Sequence, residues 1–385
     1  MNQKILLLVS WLFATLLFTT TAQADTIRVG TTQSLTGIYK EFGEEQLRGL
    51  RMWVDDINAR GALLGQDVVL VHYDDHSNKE RSAGLYGKLI EENSIDLLVG
   101  PYGSDITLAA STVAEEHNFP MVAAAASAEK IWQRGYKNIF GIDTPSANYM
   151  DLAITVAADK GAKTFALIYS DTEFSREVAV GVRREIDKLG LELVLDEEYC
   201  LDDCNYVSLA EKLRESNADV LLAATYLEDS FAISEALGPM KLNADMVALT
   251  VGPALREFGD RMGAKAEGIV GVVQWLRSVR MPMAQDFAYR YRQKYGNNPG
   301  VHAAIGYSAG QVLEAAVRLA GSTDKDAVRE QLGSMQFRSL LGHYQVDETG
   351  RQSGKRNYLL QWQDDRRRLV SPSNIAEREL IYPRK

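Results

Sequence analysis

The apolar residues of this chain fall into short runs that are separated by stretches with helical periodicity. The runs are rich in Val, Ile and Leu and do not alternate with polar residues, which is typical of strands covered on both faces. Regular alternation of strand and helix predicts right-handed crossovers and parallel sheets. The runs are Ile27–Gly30, Val68–Tyr73, Ile95–Val99, Met121–Ala124, Ile139–Ile142, Phe165–Tyr169, Leu191–Leu195, Val220–Ala224, Met246–Thr250 and Ile269–Val273.

The stretches between the runs place apolar residues on one helical face. In Glu44–Ala59, the residues Leu47, Leu50 and Ile57 share such a face, and the same spacing recurs in Asp105–His117. These stretches are therefore predicted to be amphipathic helices that cover the sheets.

A turn-rich joint at Asp143–Ser146 separates five strand candidates from five more. The pattern predicts an α/β protein of two doubly wound parallel-sheet lobes joined by a hinge. The tail after Val273 is too small for a third domain, so we expect it to return to both lobes, with a ligand cleft between them. The expected limits are 1–24 for a leader, 25–145 plus 275–345 for the N-terminal lobe, and 146–274 plus 346–385 for the C-terminal lobe.

The first residues have the features of a secretory signal peptide. Lys4 is the only charge before Asp25, Ile5–Phe18 is apolar, and Ala22–Ala24 matches an A-x-A cleavage site. The apolar run is shorter than the about 20 residues that a spanning helix needs. We therefore expect cleavage after Ala24 and a secreted product with no membrane insertion of its own.

Charge and cysteine content narrow the class of partner and site. The formal net charge of −10 argues against nucleic acid and anionic lipid. The two cysteines, Cys200 and Cys204, are predicted to form one disulfide in an oxidising compartment. A metal site would need a second pair of ligands, and a catalytic thiol pair would prefer C-x-x-C spacing.

Two serines carry the most informative chemistry. Ser104 and Ser127 each follow a predicted buried strand, on the first turn of the next predicted helix. Open α/β sheets bind ligands at the carboxyl edge of their strands. Free N–H groups at a helix start favour an anion, and a hydroxyl adds a donor. The sequence therefore predicts a seat for a small carboxylate.

A series of motifs in a fixed order resembles one known family. The chain resembles the periplasmic leucine/isoleucine/valine-binding proteins, the type I solute receptors of ABC importers. This resemblance implies a periplasmic, monomeric receptor with no cofactor, metal or catalytic activity, which hands an amino acid or other small carboxylate to an inner-membrane ABC permease. The motifs are Ile27–Gly37, Phe42–Gly43, Asp56–Gly61, Gly65, Tyr73–Asp75, Gly100–Tyr136, Ala266–Gly268 and Gln361–Trp362.

The same resemblance implies which residues bind the ligand. In the family, a serine hydroxyl and amides of one loop and a Ser or Thr of the next hold the carboxylate, while aromatic residues surround the side chain. Ordinary packing is the alternative for the aromatic positions, although two of them follow strand ends. The matching positions are Ser104 and Ser127, backbone groups of Tyr102 and Ala125, and the rings of Phe42, Phe174 and Tyr226.

One departure leaves the ligand class open. Amino-acid-binding members usually place a glutamate after the fourth strand of the second lobe to pair with the ligand ammonium, and this chain has Val251 and Gly252 there. A buried ammonium without a counter-charge is costly. Either another acid replaces the glutamate, or the ligand is an amine-free aromatic or aliphatic carboxylate. The nearby acids are Asp171, Glu173, Glu228 and Asp229.

An esterase and a metal site are weaker alternatives, whereas nothing in the sequence separates an importer from a sensor. The segment Gly306–Gly310 matches G-x-S-x-G of serine esterases, with His343 as a later base, but Ser308 lies in a predicted helix rather than after a strand. His72, Asp74 and His76 would share a strand face and suggest zinc. A polar strand end at the mouth of the cleft is the favoured interpretation, because the matching Tyr-Asp-Asp of the resembled family is not a metal site. A periplasmic sensor that feeds a receptor kinase or chemoreceptor would use the same binding event.

Overall fold

The computed structural model describes residues 26–238, 240, 243–279, 281 and 283–384. The predicted signal peptide and its cleavage after Ala24 lie outside the described residues. Within the described ranges, none of the helices combines the length and apolarity that a membrane crossing requires.

The first sheet is built from strands that precede the Asp143 joint. Its strands are all parallel, in the order β2-β1-β3-β4-β5, which is a doubly wound arrangement. Helices α1 (Lys40–Ala59), α2 (Lys79–Glu92) and α3 (Ser104–Glu116) connect them. The strands are β1 (Ile27–Gln33), β2 (Val68–Asp74), β3 (Leu97–Val99), β4 (Met121–Ala123) and β5 (Ile139–Gly141).

The second sheet repeats this topology and then extends it. The parallel strands take the order β7-β6-β8-β9-β10, and an antiparallel hairpin, β13-β14, adds to the β10 edge. The run Arg366–Arg368 starts the outermost strand. Its strands are β6 (Thr164–Ser170), β7 (Glu192–Tyr199), β8 (Val220–Ala224), β9 (Met246–Leu249), β10 (Val270–Val273), β13 (Tyr358–Gln363) and β14 (Arg366–Ser371). Strands β11 (Phe337–Ser339) and β12 (Gly342–Tyr344) pair with each other as a separate antiparallel hairpin. The predicted class, two doubly wound α/β lobes, is confirmed.

The remaining helices divide between the two sheets. Helices α4 to α8 accompany the second sheet, and α9 to α11 return to the first, where α10 packs along α1. We call β1–β5 with α1–α3 and α9–α11 the first lobe, and β6–β10, β13 and β14 with α4–α8 the second lobe. The helices are α4 (Asp151–Asp159), α5 (Glu173–Lys188), α6 (Tyr206–Glu215), α7 (Leu227–Leu237), α8 (Arg256–Met262), α9 (Ala284–Tyr295), α10 (Val301–Ala320) and α11 (Lys325–Ser334).

The chain passes between the lobes three times. The first crossing follows β5, the second follows β10, and the third precedes β13. Before the third crossing the chain still contacts the first sheet, since the Gly141 N–H donates to the Gly350 carbonyl at 2.8 Å. A ligand cleft between the lobes is therefore bordered on one side by three chain segments.

The G-x-S-x-G segment serves helix packing. A Cβ on Gly306 would lie 2.0 Å from the Gln46 carbonyl oxygen, and one on Gly310 would lie 2.1 Å from the Trp53 ring. These glycines let α10 approach α1 closely. Ser308 is buried in mid-helix, and its Oγ accepts the Leu341 N–H at 2.9 Å. The strand-to-helix turn that an esterase nucleophile requires is not found around this serine.

The acidic pair after β2 organises the loop between β1 and α1. Asp74 accepts the Leu35 N–H at 2.9 Å, and buried Asp75 accepts the Ser34 hydroxyl at 2.7 Å. His72 lies 3.1 Å from an Arg51 nitrogen, a neighbour that repels cations. Among the described residues, no group of three or more metal-ligating side chains converges. These polar residues therefore hold the loop that leads into α1.

The predicted disulfide is not present in the structure. Cys200 and Cys204 are both free, the first exposed and the second half-buried, on the loop between β7 and α6. Burial and the nearby Asp229 carboxylate raise the pKa of the Cys204 thiol. The raised pKa disfavours the thiolate, which is the reactive form of the thiol. The pairing stays a prediction for an oxidising compartment.

We expect Gly49→Ala to lower the free energy of unfolding by about 1–3 kcal/mol, because overpacking a tight helix contact is destabilising. The new Cβ would lie 2.0 Å from the Ala303 carbonyl oxygen, where backbone cannot yield cheaply. Urea unfolding followed by circular dichroism measures the change.

The matched control is Gly84→Ala on α2, where nothing lies within 4 Å of the added Cβ. Higher helix propensity should then raise the free energy of unfolding by up to about 1 kcal/mol. Equal effects of the two substitutions would contradict the packing role of Gly49.

Candidate functional site

Two adjacent strand ends of the first sheet meet at the cleft. Tyr102, just after β3, and Ala125, just after β4, pair as a parallel bridge. The Gly103 N–H donates to the Ala125 carbonyl at 2.9 Å. Gly103 has φ +89°, a conformation that side chains disfavour, and it turns the chain directly into α3. The two loops are thereby locked side by side.

The two predicted serines belong to one buried hydrogen-bonded cluster. Ser104 Oγ accepts the N–H groups of Ser127 at 3.2 Å and Ala128 at 3.1 Å. Ser127 Oγ lies 2.8 Å from the Ser146 hydroxyl, and both predicted serines are only 2% exposed. The amides of Ser127 and Ala128 in the second loop are therefore satisfied by this hydroxyl. The Ser104 hydroxyl keeps its own proton to donate to an anion.

Aromatic rings from both lobes meet across the cleft. Tyr39 and Tyr226 have ring centroids 5.1 Å apart, and Phe42 and Tyr226 are 6.1 Å apart. On the first-lobe side Phe42 stacks on Tyr102 at 4.7 Å. The ring cluster comprises Tyr39, Phe42, Tyr102 and His302 of the first lobe with Tyr149, Phe174 and Tyr226 on the second-lobe side.

The three predicted aromatic residues all belong to this cluster, and the sequence analysis missed three further members. Phe42, Phe174 and Tyr226 were expected near the ligand. Tyr39 precedes Phe42 by one helical turn, a spacing that gives a local signal. His302 and Tyr149 gave no such signal, since α10 and the first crossing bring them in from distant parts of the chain.

A cavity of about 40 Å³ lies between the serines and the rings. That volume holds a few water molecules at most. A solute of amino-acid size therefore needs the rings to move or the lobes to separate. Predicted residues that line it are Tyr102, Ser104, Ala125, Ser127, Phe174 and Tyr226, and the lining residues missed by sequence reasoning include Asp143, Tyr149, Gln274 and His302.

None of the four acids expected to replace the missing glutamate lines this cavity. Asp229 instead starts α7, where it accepts the Tyr226 N–H at 2.8 Å and the Tyr199 hydroxyl at 2.6 Å. The other three acids are also paired elsewhere. Asp171 accepts the Leu201 N–H, Glu173 forms an ion pair with Lys130, and Glu228 forms one with Arg261. Those four acids therefore do not supply the counter-charge in this arrangement.

Asp143, which lies two residues after the end of β5, is the acid that lines the cavity. It is 5% exposed, and its Oδ1 has no hydrogen-bond partner among the described residues. Burial raises the pKa of the Asp143 carboxyl to about 7, against the opposing effect of the Lys355 ammonium. Burial in turn lowers the pKa of Lys355 to about 7.

Gln274 connects the three crossings beside this carboxylate. Its Oε1 accepts the Thr144 N–H at 3.3 Å and a hydrogen bond from Lys355, while its Nε2 donates to the Tyr149 hydroxyl at 2.7 Å. Thr144 belongs to the first crossing, Gln274 to the second and Lys355 to the third. One side chain therefore fixes the relative position of all three segments.

Comparison with known sequences identifies relatives along nearly the whole chain. A family profile described as periplasmic binding protein matches residues 26–367. A Leu/Ile/Val-binding protein homolog 7 from Brucella melitensis is 26% identical over 382 residues, covering 94% of this chain and 95% of the relative. The resemblance predicted from the motifs is thus confirmed.

Solved structures show the same fold. The branched-chain amino acid transporter substrate binding protein LivJ from Streptococcus pneumoniae, in complex with isoleucine, has a TM-score of 0.81 at 20% identity and covers 93% of this chain and 100% of that one. A solute binding protein from R. palustris in complex with benzoate has a TM-score of 0.79 at 20% identity, with 94% and 98% covered.

We expect Asp143→Asn to stabilise the fold at pH 8 by at least about 1 kcal/mol, because a raised carboxyl pKa makes folding favour the protonated form. The favourable contribution of this carboxyl is full below its ordinary pKa and is lost as the pH rises through about 7. The two proteins should therefore converge near pH 4. Urea unfolding at both pH values measures the difference.

Asp67→Asn, which changes an exposed acid of the first lobe, is the control and should show no comparable pH dependence. A variant Asp143→Asn that is less stable than the parent at pH 8 would mean that the buried carboxylate is stabilised in the fold.

Proposed function

The chain belongs to the periplasmic binding protein family, and on this premise we propose that it captures a small carboxylate-bearing solute between its lobes for delivery to an inner-membrane ABC permease. The observation that carries the proposal is the serine cluster at two adjacent strand ends inside the interlobe cavity. We propose a periplasmic location after removal of the leader, and a single chain as the working unit.

The serine cluster has the chemistry that a buried carboxylate needs. Removing an anion from water is costly unless hydrogen bonds replace the lost solvation. Ser104 Oγ already accepts two N–H groups, so its hydroxyl proton is free to point at a ligand oxygen. Hydrogen bonds to a charged acceptor are stronger than neutral ones, and the dry ring cluster strengthens them further.

Closure of the lobes completes the site. The contacts between Tyr39 and Tyr226 join the lobes over the cavity, and Lys130 pairs with Glu173 at 2.8 Å on the rim. The exposed ion pair adds little stability, whereas the buried rings exclude water. A ligand that contacts both lobes shifts the population toward this closed arrangement. The permease would then recognise a surface formed by both lobes.

The ligands of the two solved structures support recognition of a carboxylate group rather than of any one side chain. Isoleucine and benzoate, bound by those two proteins, have a carboxylate in common and little else. The positions of the serines fit binding rather than hydrolysis, because Ser308, the serine of the esterase-like motif, is buried in α10 outside the cavity.

We expect Ser104→Ala and Ser127→Ala each to weaken ligand binding by about 1–3 kcal/mol, since each removes a hydroxyl from a buried charged acceptor. A thermal-shift screen of amino acids, aromatic acids and short aliphatic carboxylates first identifies a ligand, because binding raises the melting temperature. Titration calorimetry on both variants then measures the loss.

Ser308→Ala is the matched control, a buried serine outside the cavity, and its ligand affinity should equal that of the parent protein. Unchanged affinity in both Ser104→Ala and Ser127→Ala would remove the serine cluster from the site. Ester turnover that disappears in Ser308→Ala would instead favour a hydrolase.

A further inference from the structure

We infer that the ligand is a zwitterion of the α-amino acid type and that the Asp143 carboxylate binds its ammonium group. This inference rests on the proposed function, since it takes the serine cluster as the seat of the ligand carboxylate. An acid of the first lobe would then take the role of the glutamate that is missing after β9 of the second lobe.

The sheet register places Asp143 beside the carboxylate seat. Ala123 of β4 is paired with Gly141 of β5, and the Ile142 N–H donates to the Ala123 carbonyl at 3.2 Å. Ala125 and Asp143, each two residues beyond these strand ends, both line the cavity. Neighbouring strands lie about 4.8 Å apart. An α-amino acid carries its ammonium and carboxylate on one carbon, so its two charges need complementary groups at about this separation.

The carboxylate of Asp143 is left available by its surroundings. The Lys355 ammonium acts on this carboxyl through its charge, but its hydrogen bond goes to Gln274. Asp143 Oδ1 has no hydrogen-bond partner among the described residues. Tyr149 also lines the cavity, and its hydroxyl oxygen accepts from Gln274 at 2.7 Å without a hydrogen bond to Asp143 Oδ1. A buried carboxylate oxygen without a hydrogen-bond partner is rare because it costs stability. An ammonium group that enters the cavity would satisfy this one.

The second lobe offers no alternative at the usual place. A Cβ on Gly252 would lie 2.2 Å from Ser230 Oγ, so an acidic side chain does not fit at that position without rearrangement. Val251, Ala254 and Val272 line the cavity there with apolar surface. That surface suits the side chain of the ligand. Among the described lining residues, Asp143 is the one carboxylate.

The apolar second-lobe surface and the ring cluster also indicate which side chains suit the site. The rings of Phe174 and Tyr226 and the side chain of Val251 surround the cavity opposite the serines. Such a lining favours aliphatic or aromatic side chains over charged ones, because a second buried charge would lack a partner. Leucine and phenylalanine are therefore the natural probes.

Titration calorimetry with matched ligand pairs tests the inference. The pairs are L-leucine with 4-methylpentanoate, and L-phenylalanine with 3-phenylpropanoate, which differ only in the amine. Asp143→Asn should weaken binding of the amino acids roughly 10- to 100-fold, the loss expected for removing a charge partner from a buried ammonium. It should leave binding of the amine-free acids unchanged or tighter. Ser104→Ala should weaken binding of both members of each pair.

Each other outcome is decisive. Equal losses for both members of a pair in Asp143→Asn would assign Asp143 to the hinge with Lys355 and overturn the inference. A parent protein that binds the amine-free acids but not the amino acids would overturn it too, with the proposed function intact. Unchanged affinity for both ligand classes in both Ser104→Ala and Ser127→Ala would overturn the serine seat on which the proposed function rests.

Discussion

The structure depends on one constraint, the joining of three chain crossings at Gln274. Its amide contacts Thr144 of the first crossing, Lys355 of the third, and the Tyr149 hydroxyl. Because strands β1–β5 and strands β6–β10 are parallel within their sheets, the loops that follow them emerge from one edge of each sheet. With the crossings fixed relative to one another, those two edges face each other across a cleft. The second-lobe rings then face the serines and the buried acid of the first lobe across this cleft.

The site combines well-satisfied and poorly satisfied groups in a way that suits a receptor. The serine cluster is internally hydrogen-bonded, so it is pre-formed before a ligand arrives and little ordering remains to be done. Asp143 shows the opposite, since its burial raises its pKa and lowers stability at neutral pH. Proteins retain such unfavourable groups where function requires them. A ligand ammonium would convert this unfavourable burial into binding energy.

The returning helices give the first lobe both rigidity and part of its site. Glycines at positions 49, 306 and 310 allow α1 and α10 to pack with their backbones close together. The same helix α10 carries His302 at its start, where the imidazole ring packs on Phe42 and Tyr102. The loop before α1 is held by Asp74 and Asp75. Residues that suggested an esterase and a metal site are thus used to position the ring cluster.

The sequence by itself determined the features that depend on local periodicity. Strands, helices and the doubly wound order follow from short apolar runs that alternate with amphipathic stretches. The convergence of Ser104 and Ser127 was predictable too, because parallel strands of one sheet end at a common edge. Only the tertiary structure decided which acid is available to pair with a ligand ammonium. The four acids near the second-lobe strand ends bind other groups. Asp143 lines the cavity because β5 lies beside β4 and leads into the hinge. His302, Tyr149 and Gln274 likewise depend on contacts between distant segments, and no local pattern encodes those contacts.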